Sequence, residues 1–331
     1  MSEAAVQGGQ AGWRASAGAA GEGAGQLRAE TVLDARRALQ LGLAGIWLLD
    51  GVLQYQPAMY AKAFGQMLAG TAAGNPSVIA RPITWQASLL SHHLVLLNTI
   101  FATIQLLLGL GIAIRPTVRA ALAASVAWSL AVWWFGEGLG GVLSGGASPL
   151  NGAPGAVILY ALLAVLLWPT DRRGPAPFPA ARAVGKHVAR ALWLVLWLSL
   201  AYFALAPANR APGAVSGMIS GMTDGEPHWL SALMKGATSL VTGADMVTSI
   251  VLAVAFVVIA AGVYLPAPAV RGTLVLAVVV SLVIWVVAEA LGGILAGGAT
   301  DPNSGPLLVL LALAYWPARA VGTPTEKEAS S

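Results

Sequence analysis

Two carboxylates stand where acidic side chains are rarest. Glu137 lies in SLAVWWFGEGLGGVLSGGA, from Ser129 to Ala147, and Glu289 in SLVIWVVAEALGGILAGGA, from Ser281 to Ala299, the same motif 152 positions further on. An ionisable group inside an apolar span is costly enough that function is its default reading. Within each copy the pattern recurs every four residues, as Trp133, Glu137, Gly141, Gly145 and as Trp285, Glu289, Gly293, Gly297. That period places each set on one face of a helix. Gly141 with Gly145, and Gly293 with Gly297, then read as helix-packing GxxxG seams. A carboxyl beside such a seam faces protein and can exchange a proton or meet a cation. The competing reading is structural, with each carboxyl capping outer-loop backbone or pairing with Arg81 or Arg210.

Other polar groups fall at related places. Asp50 sits in the first apolar run, and His93 and Asp245 share the 152-residue offset. His93, Glu137, Asp245 and Glu289 offer nitrogen and oxygen donors of the kind that hold zinc, manganese or iron. They lack HxxE or HxxxH spacing, so no metal is expected. Bis-histidine haem is not expected either, because His187 belongs to the opposite side and His228 to a loop. There is no cysteine, which excludes disulfides, thiolate catalysis and iron–sulfur clusters. No nucleotide-binding motif, metalloprotease motif or nucleophile triad is present, so no catalytic residue is assigned and an enzyme is not the favoured class.

The elements that must position these groups follow from composition. Apolar residues make up 57% of the chain and charged residues 10%, far below the roughly 25% charged of soluble domains. The fold class is therefore an all-α, polytopic membrane helix bundle, with the lipid bilayer as its first partner. Eight apolar runs approach the ~20 residues that cross a bilayer: 38–56, 93–114, 119–143, 154–168, 190–207, 246–265, 271–296 and 305–317. The net charge of +4 does not indicate nucleic acid, because the basic residues lie between spans.

The flanks and connections set the topology. Residues 1–35 read as a disordered cytoplasmic arm and 318–331 as a disordered tail, while 36–169 and 190–317 form two four-helix repeats joined by a linker over 170–189. With the N-terminus inside, all of the 18 Lys and Arg except Lys62, Arg81, Arg210 and Lys235 fall on the cytoplasmic side. Both termini are then cytoplasmic in the plasma membrane. Four spans per unit make the repeats parallel. The 152 offset also pairs Arg119 with Arg271, Asn151 with Asn303, Pro154 with Pro306 and Asp50 with Tyr202, while Trp168-Pro169 and Trp316-Pro317 close the halves after a four-residue shortening. At about 1.5 Å per residue from Arg119, Glu137 lies near the outer edge of the hydrocarbon, so the polar site opens outward. The segments Pro57 to Ser91 and Met222 to Leu240 read as amphipathic helices lying over it. Most tryptophans, Trp85, Trp133 and Trp229 among them, read as interfacial anchors, and the loops GGASPLNGAP and GGATDPNSGP as tight turns.

The first span, GIWLLDGVLQYQP, the surface segment after it, and a second span reading ATIQLLLGLGIAI with an amide in mid-helix resemble the four-helix unit of DoxX-like membrane proteins. The whole chain is similar to duplicated actinobacterial integral membrane proteins. The resemblance implies a non-enzymatic component of a quinone-linked redox or envelope complex, with any quinone supplied through the partner and no cofactor of its own. It transfers no catalytic residue, since Gln105 is not acidic and its repeat mate is Val257. The alternative is a transporter for a small solute, proton or metal ion that pairs Glu137 and Glu289 in the outward site.

Overall fold

A computed structural model describes residues 35–170 and 176–318. Nearly all of the arm expected over 1–35, and all of the tail over 318–331 except Ala318, fall outside the described residues. The described chain is helical without strands. Helix α1 spans 35–54 and is followed by α2 (Lys62–Gly70), α3 (Ser77–Ala113), α4 (Val118–Phe135) and the short α5 (Ala156–Leu166). After α6 (Ala181–Val184) come α7 (Lys186–Ala204), α8 (Pro207–Arg210), α9 (Ala214–Gly221), α10 (His228–Val241), α11 (Asp245–Gly262), α12 (Ala267–Val287) and the short α13 (Ser304–Ala314).

Five segments among the described residues are long and apolar enough to cross a membrane: Ser77–Ala113, Arg115–Phe135, Lys186–Ala204, Asp245–Gly262 and Pro268–Val287. Their outward faces carry bare aliphatic side chains such as Val95, Leu107, Val195, Val251, Val254, Val279 and Val283. Apolar exposure on that scale marks a surface solvated by lipid.

At the centre, α5 packs against α13. Both are apolar on every side, as a helix enclosed by other helices must be, and Leu163, Leu307 and Ala312 are fully enclosed. At 11 residues each, they rise only about 16 Å. They cannot cross a core of about 30 Å alone.

Side chains of α1 satisfy carbonyls left over where neighbouring helices end. Arg37 donates to Ile112 O at 3.0 Å and also to Ala113 O, and Gln40 donates to Leu167 O at 2.8 Å. In the other half Tyr315 OH donates to Ala189 O. Around it Trp193, Trp197, Phe256 and Phe178 form a chain of ring contacts. Phe178, Ala180 and Ala181 are buried, so this part of the expected linker is packed core.

Three expectations are corrected by the helix ends. The third and seventh helices stop at Phe135 and Val287, so Glu137 and Glu289 stand beyond their helices rather than inside them. The second helix starts at Ser77 and breaks at His93, with φ −132° and ψ 36°, where the other half has the gap between α10 and α11. Because α1 and α7 end at residue 54 and Ala204, each followed three residues later by Pro57 or Pro207, Asp50 corresponds to Leu200 and not to Tyr202. Trp47 then corresponds to Trp197, and both are buried.

The tight small-residue seam lies between α1 and α3. A Cβ on Gly109 would stand 2.9 Å from Ala44 O and 2.6 Å from Leu48 Cγ, whereas one on Gly45 meets open space. Gly109→Val is expected to lower the thermal midpoint of the detergent-purified protein, at a cost of about 1–3 kcal/mol from overpacking, and Gly45→Ala to leave it unchanged. Equal midpoints for both variants would refute this close approach.

Candidate functional site

The repeated motif folds as a helix end and a left-handed turn. After α4 the chain takes positive φ at Gly138, Leu139, Gly140 and Gly141, and after α12 at Ala290, Leu291, Gly292 and Gly293. Glu137 (φ −98°, ψ 0°) and Glu289 (φ −97°, ψ 0°) precede these runs with the same backbone. Consecutive left-handed residues are tolerated mainly by glycine. Gly141, Gly145, Gly293 and Gly297 all have φ between 72° and 79°. They are turn glycines, not helix-packing positions. Gly140 has a second reason to be glycine, because a Cβ there would overlap the backbone of Pro154.

The turn returns the chain so that each glutamate meets the start of the next short helix. Trp133 donates its indole N–H to Pro154 O at 2.6 Å, and Trp285 donates to Pro302 O at 2.7 Å. These two tryptophans therefore brace the turn rather than anchor at an interface. Pro154 matches Pro302, not Pro306, because the four-residue shortening lies within the loop ahead of them. Glu137 Oε1 accepts from Val157 N at 3.1 Å. Glu289 accepts from the Ser304 hydroxyl and from Gly305 N at 3.3 Å. Each carboxylate thus faces the exposed amides and positive dipole end of a helix N-terminus.

The two glutamates differ in what is left over. Both oxygens of Glu289 are engaged, and the residue is 1% exposed. Glu137 Oε2 is buried without a hydrogen-bond partner. Ala156 stands where the other half has Ser304, so no hydroxyl reaches it. A Cβ on Gly155 would overlap Glu137 Oε2, so glycine there keeps that oxygen uncovered.

That oxygen belongs to a cavity of about 770 Å³ enclosed by α1 to α5. Its walls include Trp47, Phe64, Leu97, Phe101, Trp128 and Phe135, and its polar lining includes Asp50, Gln54, Gln105, Glu137, Tyr160 and Asp301. Asp50 is 2% exposed and Tyr160 is 1% exposed. Gln105 Oε1, Trp128 Nε1 and Glu137 Oε2 are buried without hydrogen-bond partners, while the Asp50 and Tyr160 side chains pair with each other. Buried polar atoms are nearly always paired, so three orphans on one cavity wall set it apart from the packed core. Gln54 and Asn98, by contrast, satisfy each other, with Asn98 Nδ2 donating to Gln54 O at 2.9 Å.

The roof of this cavity comes from the second half. Gly298, Ala299, Thr300, Asp301 and Asn303 line it, and Gln56 donates to Ala299 O. The exchange is reciprocal, since Asn209 donates to Ala147 O at 2.8 Å. Asp301 accepts from Thr300 Oγ1 at 2.8 Å and from Asn303 N at 2.7 Å, and it lines the same cavity as Asp50 and Glu137.

The expected residues therefore separate. Asp50 and Glu137 share the cavity, whereas Glu289 caps α13 and is absent from the lining. His93 is exposed at the break in α3. Asp245 is buried and accepts from Gly213 N, Val215 N and Ser216 N at 2.9 to 3.3 Å. Sequence reasoning missed Tyr160, Trp128 and Asp301. Asp301 was legible only as a turn residue, and Tyr160 carried one signal, a hydroxyl in an otherwise apolar short helix. The second half has Leu200, Val280 and Leu308 where the first has Asp50, Trp128 and Tyr160, and all three belong to the apolar core.

Burial raises the Asp301 carboxyl above its ordinary value, against the lowering effect of its bonds to Thr300 and Asn303. The unfolded chain ionises this group at the ordinary value, and the native state resists ionisation until the raised one. Its contribution to stability is therefore fully present below the ordinary value and is lost as pH rises through the raised value. Asp301→Asn is expected to raise the thermal midpoint at neutral pH and to flatten its fall from acid to neutral pH; a steeper fall would contradict the burial. Comparison with protein-family models, curated proteins and solved structures finds no match.

Proposed function

We propose that this chain is a small-solute transporter of the membrane whose site lies in its first half, with carboxyl groups that exchange protons as the solute binds. The carrying observation is the cavity in which Asp50, Glu137 and Asp301 gather with unpartnered polar atoms. A volume of about 770 Å³ lies in the range of small-molecule sites, roughly 300–1,000 Å³. A purely supporting subunit, as the DoxX-like resemblance implies, needs no such interior. The uncovered carboxyls are what favour solute handling.

In this reading the chain is built from two parallel four-helix units, eight membrane elements in all, related by an axis between α5 and α13. The matched turns after α4 and α12, the matched ends of α1 and α7 and the reciprocal loop contacts support that arrangement. Both termini lie in the cytoplasm, as the distribution of Lys and Arg supports, and the cavity faces outward in the plasma membrane. Broken helices with irregular backbone belong at membrane depth only where they line a cavity or are buried in protein, and this is where transporters bind solutes. The turns at Gly136, Gly140 and Gly141 line this one.

Proton flux into proteoliposomes under an imposed potential tests the reading. Glu137→Gln is expected to lower the flux about a hundredfold or more, the usual scale for losing a positioned proton-transfer group. Glu289→Gln is expected to keep it, because that side chain serves α13. Equal flux for wild type, Glu137→Gln and protein-free liposomes would refute the proposal.

A further inference from the structure

Resting on that reading, we infer that the cavity takes an organic cation, an amine with an apolar or aromatic body. Its lining holds three carboxyl side chains and no Lys, Arg or His. An anionic solute would meet uncompensated negative charge, and a neutral one would leave the acids without a counter-charge. A metal ion fits poorly, since among the described residues no three His, Asp or Glu side chains are grouped to hold one. The acids lie on different elements of the cavity, an arrangement suited to a larger cation.

The uncovered acceptors have the right chemistry. Glu137 Oε2 and Gln105 Oε1 are acceptors without donors, and a primary ammonium brings three N–H donors and no acceptor. Asp50, beside Tyr160, is 2% exposed, so it is an interior group on the cavity wall and not a solvated surface acid. The walls suit the rest of such a molecule. Phe101 and Trp128 pack with centroids 5.7 Å apart, and Trp47 and Tyr160 with centroids 4.2 Å apart, both pairs on the cavity. Aromatic faces attract a desolvated cation through the ring quadrupole. Entry is on the side of α2 and the first part of α3, where the lining residues Met67, Trp85 and Leu89 are exposed.

Titration calorimetry of the full chain in detergent at neutral pH, with 2-phenylethylamine, 2-phenylethanol and phenylacetate as probes, tests the inference. The three share an aromatic body and differ in charge. The amine is expected to bind, the alcohol about tenfold more weakly or worse, as for loss of one charge-assisted bond, and the carboxylate not at all. Asp50→Asn is expected to weaken amine binding about tenfold, and Asp301→Asn, placed in the roof loop outside the helices, tests the same charge if the first variant fails to fold. Alcohol or carboxylate binding as tight as the amine's would overturn the cation class and leave solute binding standing. Binding of none of the three would also overturn it, and the flux comparison of wild type with Glu137→Gln then decides whether the transport reading falls with it.

Discussion

The constraint on which the structure depends is the demand of two helix N-termini for hydrogen-bond acceptors inside an apolar medium. Helices α5 and α13 begin part-way across the bundle, where their first amides have no water to turn to. An unpaired amide in such surroundings costs several kcal/mol. Each half answers with a glutamate from the end of the preceding helix, brought back by a left-handed turn that glycine makes feasible. The tryptophan four residues before each glutamate fixes the incoming chain through its proline carbonyl. The motif is duplicated because this join is needed twice, and its glutamate is in the first instance a cap.

The two caps differ in completeness. In the second half Ser304 supplies a hydroxyl, and the carboxylate of Glu289 is fully engaged. In the first half alanine replaces that serine, glycine replaces Asn303, and one carboxylate oxygen faces the cavity instead. The surrounding positions change in the same sense. Asp50, Trp128 and Tyr160 stand opposite Leu200, Val280 and Leu308, so polar lining in one half is apolar filling in the other. The two matched turns make the same join, and the polar interior lies beside the first of them.

Much of the frame was legible in the sequence. The spacing of the two motifs, the rarity of their acids and the long apolar runs gave the helical class and singled out Asp50 and Glu137. What misled was a period of four, which reads as a helix face, whereas Gly-Glu-Gly-Leu-Gly-Gly is also what a left-handed turn requires. A fixed offset of 152 likewise hid the shifts in register between α1 and α4 and inside the loop before α5, so Asp50 was matched to an exposed tyrosine. Asp301 had no local signal. A turn that satisfies its own amide looks the same whether it borders solvent or roofs a cavity whose walls come from the distant first half of the chain.

That distance explains why the cavity belongs to the whole chain and not to one half. The roof loop carrying Asp301 is held by Gln56 of the first half, and the equivalent loop of the first half is held by Asn209 of the second. Gly152 and Asn303 meet so closely between the two loops that a Cβ on the glycine would overlap the asparagine side chain. The third carboxylate therefore reaches Asp50 and Glu137 only while the halves are docked along α5 and α13. The loops that close the site are the same ones that hold the halves to each other.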